Sequence, residues 1–238
     1  MIYDIIGLSL ERPEVVSIVG AGGKTSFINE LSRELKSFNK KVLSTTTTQV
    51  FKPSNMDYFI LNKIHDDFKP KEGTITSYGT NVKGGKLIVK SIVEIEDIIK
   101  RNIFDFVLIE ADGAKRKPLK APASHEPVIT SLTSLTIGVI GLDSIGLILN
   151  ETNVHRAGLV SQLINKDLGE IIDRQDILKL ILDKKGIFKD SQGRKVLLLN
   201  KANSSQRITE GKNIRKKLLD KDKNIEVLIC NIQSKEFF

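Results

Sequence analysis

Short runs of apolar, β-branched residues alternate along this chain with segments whose apolar residues recur every three or four positions. The first run, VVSIVG at 15–20, reads as a strand. The segment after it, 25–38, sets Phe27, Leu31, Leu35 and Phe38 on one helical face. Strand-like runs follow at 40–48 and 57–61. The stretch GTITSYGTNVKGGKLIVK, 73–90, holds turn signals between β-rich pieces and predicts a hairpin-like insert. Residues 91–102 read as a helix with a Ser cap, 174–186 as a helix stopped by glycine, and 204–222 as a weaker, very polar helix. FDFVLIEADG (104–113), LTIGVIGLD (135–143) and KVLLLNKAN (195–203) are nearly continuous apolar runs, the pattern of strands buried on both faces. NIEVLIC (224–230) is the last strand. The alternation predicts an α/β fold: an open, mainly parallel sheet with helices on both faces, forming one domain over 1–238.

The first strand runs into Gly20-Ala21-Gly22-Gly23-Lys24-Thr25-Ser26. The long phosphate-loop pattern, G-x-x-x-x-G-K-[ST], would need glycine at position 18, where this chain has Ile18. The shorter G-x-x-G-K-[ST] matches Gly20, Gly23, Lys24 and Thr25 and is similar to the loop of Mur-type ligases. Strand, glycine-rich turn and amphipathic helix are the context in which backbone N–H groups cradle phosphates. In that reading the chain is P-loop NTPase-like, residues 20–26 hold the nucleotide, Lys24 neutralises its phosphates, and the Thr25 hydroxyl ligates Mg²⁺.

Glu110 and Asp112 follow at the end of a buried strand, where open α/β sheets bind ligands. Strand alternation puts both acids on one side, with Glu110 suited to Mg²⁺ and the pair to catalysis alongside Lys24. Thr46 and Thr47 lie in a run of four threonines, read either as good strand formers or as contacts to a substrate phosphate. LLLNKAN resembles the N-K-x-D base-recognition motif of GTPases, with Asn200 and Lys201 in place and Asn203 where the Asp would stand. Lys115, Arg116, Lys117 and Lys120 crowd cations just past the acids, in a loop stiffened by Pro118, Pro122 and Pro127. Lys115, Arg116, Lys120, His125 and, further on, His155 and Arg156 are candidates to hold an anionic second substrate, against the plainer reading of a solvated charged loop.

Composition narrows the partners. Lys and Arg number 37 against 29 Asp and Glu, a net charge of +8 that favours anionic ligands. The cations are dispersed and no nucleic-acid-binding motif accompanies them, so no nucleic acid is expected. The single cysteine, Cys230, excludes an internal disulfide and a cysteine-rich metal site. There is no signal-peptide pattern and no apolar run of spanning length, so a cytoplasmic protein without membrane contact is expected.

VVSIVGAGGKTSF, VLSTTTTQVFKP, VLIEADGAKRKPLKAPASHEPVI, IGLDSIG, NVHRAGLVSQLI and LLLNKAN occur in the order and spacing of YqeC-like proteins. These are also labelled selenium-dependent hydroxylase accessory proteins or selenium cofactor biosynthesis proteins. The resemblance covers nearly the whole chain, and residues 110–129 are its most specific part. It implies a P-loop NTPase-like fold and an accessory role in maturing selenium-dependent molybdenum hydroxylases, while the loop and acid residues point to ATP or GTP with Mg²⁺ as cofactors. The partner it implies is the apo-enzyme or a selenium or molybdenum cofactor intermediate. Asn203 departs from the family's usual Asp. The residues themselves leave three functions open: a Mg-dependent NTPase, a Mur-like ligase or kinase acting on a small anion, and a nucleotide-gated binding protein that does not hydrolyse.

Overall fold

A computed structural model describes residues 1–51, 56–89 and 91–238. Its strands are β1 (Glu14–Gly20), β2 (Lys41–Thr46), β3 (Gln49–Phe51), β4 (Tyr58–Leu61), β5 (Thr74–Gly79), β6 (Asn81–Lys83), β7 (Lys86–Ile88), β8 (Phe106–Glu110), β9 (Leu119–Lys120), β10 (Leu135–Gly141), β11 (Val154–His155), β12 (Arg194–Asn200), β13 (Ile225–Asn231) and β14 (Glu236–Phe237). The helices are α1 (Ile2–Ile5), α2 (Lys24–Ser37), α3 (Ile92–Lys100), α4 (Ala157–Ile164), α5 (Arg174–Leu182) and α6 (Ser205–Leu219).

Nine strands form one sheet in the order β14-β13-β12-β10-β1-β8-β2-β5-β4. All its pairings are parallel except that of β14 with β13. Alternation explains why the central strands carry unbroken apolar runs. In β8, Phe106 and Leu108 pack with α1 and α2 on one face, while Val107 and Ile109 pack with α3 on the other. In β12, Val196 and Leu198 join the α2 side, and Leu197 and Leu199 meet α4, α5 and α6. Two-sided burial of this kind is the mark of a parallel sheet. This is the open α/β architecture that the alternation of elements predicts, and it is consistent with a P-loop-like fold.

The 73–90 stretch divides differently from its expected form. Thr74–Gly79 is a strand of the main sheet, paired in parallel with both β2 and β4. Only β6 and β7 make the hairpin, and β7 pairs with β3 to complete a three-stranded sheet. Lys90, the last residue of the expected insert, and Lys52 and Pro53 of the VFKP motif lie outside the described residues. The second strand stops at Thr46 rather than Thr48, because the chain turns there to start β3. Among the described residues no helix is long and apolar enough to cross a membrane.

Candidate functional site

β1 lies mid-sheet, between β10 and β8, so its C-terminal end opens at the point where open α/β sheets bind ligands. Ile18 is fully buried in the α2-side core, two residues short of the turn. The loop therefore starts at Gly20, and the first glycine of the long pattern has no place to stand. Gly23 has φ 135°, and a Cβ there would come within 2.3 Å of the Asn200 side chain. At Gly22, φ 90°, a Cβ would lie 2.2 Å from the Gly141 nitrogen. Both positions need glycine for conformation and for space.

The loop's amides fall into two groups. The Gly20 N–H donates to Asp112 Oδ2 at 3.0 Å, that of Ala21 to the Val139 carbonyl at 2.8 Å, and that of Gly22 to the Lys117 carbonyl at 3.1 Å. The N–H groups of Gly23, Lys24, Thr25 and Ser26 have no hydrogen bond among the described residues. They are the free first turn of α2 and line a cleft of about 870 Å³. Unsatisfied N–H groups at a helix start, with the positive end of the helix dipole behind them, form an anion receptor.

The two acids after the sheet edge separate in role. Asp112 is 2% exposed and is held by three donors: the Gly20 amide, Lys24 Nζ at 2.6 Å and Lys120 Nζ at 2.9 Å. It does not line the cleft. Glu110 does, and its Oε2 accepts from the Thr25 hydroxyl at 3.0 Å. Burial raises the Glu110 carboxyl above the ordinary range, and Lys24, with Nζ 3.6 Å from Oε1, pulls it back. The Lys24 ammonium, 3% exposed, also donates to the Gly20 carbonyl at 2.7 Å. Thr25 and Glu110 thus present two hard oxygens on the cleft floor beside the open amides, which fits Mg²⁺ held by one carboxylate and phosphate oxygens. Among the described residues no cluster of three or more His, Cys, Asp or Glu forms a metal cage.

A buried chain of ion pairs runs on from this floor. Lys120, 3% exposed, bridges Asp112 to Glu126 Oε2 at 2.8 Å and donates to the Gly113 carbonyl at 2.7 Å. Arg156 holds both oxygens of Glu126, and with Lys120 it keeps that carboxyl low, at about 2, despite burial. Lys120 is therefore internal structure, not an open substrate contact. Arg156 and His155 do line the cleft, on the wall brought down by the pairing of β11 with β9. Burial and the cations Arg156, Lys120 and Lys115 push the His155 imidazole down to about 4. In a titration of the histidine resonances by NMR, one of the three should accordingly stay neutral until about pH 4. The folded state then binds fewer protons than the unfolded one between roughly pH 6.5 and 4, so this group's contribution to stability falls as pH drops through that window.

Other sequence candidates settle elsewhere. Thr46 is fully buried and its hydroxyl donates to the Glu110 carbonyl; that of Thr47 donates to the Val128 carbonyl. Both hydroxyls tie backbone together, and the cleft is lined instead by Thr48, Gln49 and Val50. Asn200, 4% exposed, uses both ends of its amide internally: Nδ2 donates to the Gly22 carbonyl at 2.8 Å, and Oδ1 accepts from the Ile232 N–H at 3.0 Å. It braces the loop against the end of β13 and is not free to read a base. Lys201 lines the cleft, paired with Asp143 at 2.7 Å, while Asn203 is exposed and bonded to Arg207. His125 is exposed and does not line the cleft. Lys115 and Arg116 do. Sequence reasoning passed over Lys86, Glu151 and Gln49; nothing local marks them, since the β3–β7 pairing and the turn before α4 deliver them.

The model of the family described as "YqeC protein" matches residues 16–158 of this chain. The chain is 32% identical over 199 residues to "Uncharacterized protein YqeC" of Escherichia coli (strain K12), covering 80% of this chain and 77% of that protein. The chain belongs to the YqeC protein family. The matched span takes in the loop, Glu110, Asp112, Lys120, Glu126, His155 and Arg156, and leaves out Asn200 and Lys201.

Proposed function

We propose that this chain binds ATP or GTP as the Mg²⁺ complex and hydrolyses it, and that it does so as an accessory protein in selenium cofactor biosynthesis or in maturing selenium-dependent molybdenum hydroxylases. The nucleotide reading rests on one observation: the free N–H groups of Gly23–Ser26 converge on a cleft floored by Lys24, Thr25 and Glu110. The selenium role rests on the likeness to the YqeC family alone. In this reading the four amides and Lys24 take the phosphates, and Thr25 and Glu110 hold the metal. Bound there, Mg²⁺ supplies neutralisation of the phosphate charge. Phosphoryl chemistry asks little else of a protein than such positioning and charge balance. Asp112 acts from behind, fixing the loop and Lys24. Lys201 stands at the β12 end of the cleft and suits the base or ribose; with Asn203 turned outward, base selectivity should be weak.

Calorimetric titration with Mg-ATP and Mg-GTP side by side tests this, together with release of inorganic phosphate. Both nucleotides should bind, with affinities within about tenfold of each other. Affinity should rise with pH in the presence of Mg²⁺, because the metal needs the ionised Glu110 and burial raises that carboxyl. Binding without phosphate release would leave the non-hydrolysing reading, and absence of binding would remove the nucleotide altogether.

A further inference from the structure

The cleft is larger and more positive than a nucleotide's phosphates require. Seven Lys or Arg side chains line it against three Glu. Lys24, Lys201 and Arg156 already have carboxylate partners in Asp112, Asp143 and Glu126, so the lining is a set of fixed cation positions and not a bare excess of charge. Facing the loop stand Lys115, Arg116, His155 and Arg156, and Lys86 enters from the three-stranded sheet.

The backbone of this wall is held in an unusual state. Lys115, Arg116 and Arg156 have φ of 47°, 59° and 62°, a left-handed conformation that non-glycine residues rarely adopt. Each such residue carries a conformational cost, and such residues concentrate at ligand clamps. The bidentate hold of Glu126 on Arg156, itself anchored by Lys120, fixes the guanidinium at the rim. His155, largely neutral above pH 4, adds a hydrogen-bonding group beside these cations. The sheet order gives the direction. Lys201, just past β12, lies on one side of β1; on the other lie Glu110, at the end of β8 next to β1, and Thr48 and Gln49, past β2. A nucleotide with its base toward Lys201 directs its terminal phosphate toward Glu110 along the loop and leaves the opposite wall of Lys115, His155 and Arg156 facing it.

We propose that the wall side of the cleft, between the phosphate loop and Lys115, His155 and Arg156, binds a second substrate through a phosphate group. The proposal rests on the nucleotide reading for its orientation. The phosphate belongs either to inorganic phosphate or to a phosphate monoester. Its place across the cleft from the loop is that of an acceptor, or of a ligand whose capture the nucleotide gates.

The test is titration of inorganic phosphate, and separately of ribose 5-phosphate, into protein saturated with Mg²⁺ and a non-hydrolysable triphosphate, which fills the loop. One further equivalent should bind, and Lys115→Ala should weaken it about tenfold while leaving nucleotide affinity within about twofold. His155→Gln should weaken it as well. Tighter binding of the monoester marks that as the natural class; equal binding points to phosphate itself. No uptake by the nucleotide-filled protein, or uptake that neither substitution changes, overturns the proposal and leaves the nucleotide reading standing. Should the parent bind no nucleotide, that reading fails by itself. The same titration on ligand-free Lys24→Met protein, whose loop is disabled, then decides the wall: uptake sensitive to Lys115→Ala supports it, and none refutes it.

Discussion

A Lys24→Met variant is expected to bind Mg-nucleotide about a hundredfold more weakly than the parent, or not measurably, while remaining folded. Lys24 lines the cleft with the open amides, and its ammonium sits in a pocket of oxygens: the Gly20 carbonyl at 2.7 Å, Asp112 at 2.6 Å and Glu110 at 3.6 Å. Losing one member of a buried charge pair at a binding site costs about 2–5 kcal/mol of affinity, and a hundredfold lies inside that span. Methionine keeps the apolar stem and so avoids a cavity. Asp112 is not orphaned by the change, because the Gly20 amide and Lys120 still hold it. Glu110 loses its stabilising cation and, already raised by burial, moves further toward its neutral form. A thermal scan should therefore show only a modest shift. Unchanged nucleotide affinity in a folded Lys24→Met protein would mean that the residue 20–26 cup receives no phosphate.

What the sequence made legible was local or periodic. The loop declared itself because strand, glycines, Lys-Thr and helix are contiguous, and β8, β10 and β12 declared themselves because two-sided burial writes an unbroken apolar run. Long-range partners left no such mark. Asn200 looks like a base reader beside Lys201, yet its amide is taken up by Gly22, 178 positions away, and Ile232, 32 away. Thr46 and Thr47 look alike as candidate phosphate contacts, but the carbonyls of Glu110 and Val128 take their hydroxyls. Glu110 and Asp112 are equivalent acids in a strand-end pattern. Only the folded chain distinguishes the one that meets the cleft from the one enclosed by an amide and two lysines.

That distinction carries the second large effect. Asp112→Ala should lower stability by about 3 kcal/mol, the lower end of what breaking a buried ion pair costs, or roughly 6–12 °C in Tm for a chain of this size. The substitution leaves the Gly20 N–H without its acceptor and strips a counter-charge from both Lys24 and Lys120, each 3% exposed. Their remaining partners, Glu110 at 3.6 Å and Glu126 at 2.8 Å, keep the cost from running higher. Glu110→Gln is the contrasting variant. The amide removes a charge that burial already disfavours, so stability should hold or rise slightly, whereas the Mg²⁺ dependence of nucleotide binding should fall away. Thermal unfolding and calorimetry on the two proteins read these effects independently. If Asp112→Ala melts with the parent, or if Glu110→Gln keeps full Mg²⁺ dependence, then the acids do not divide into one that braces the loop and one that serves the cleft. The metal would then have to be sought elsewhere along the cleft.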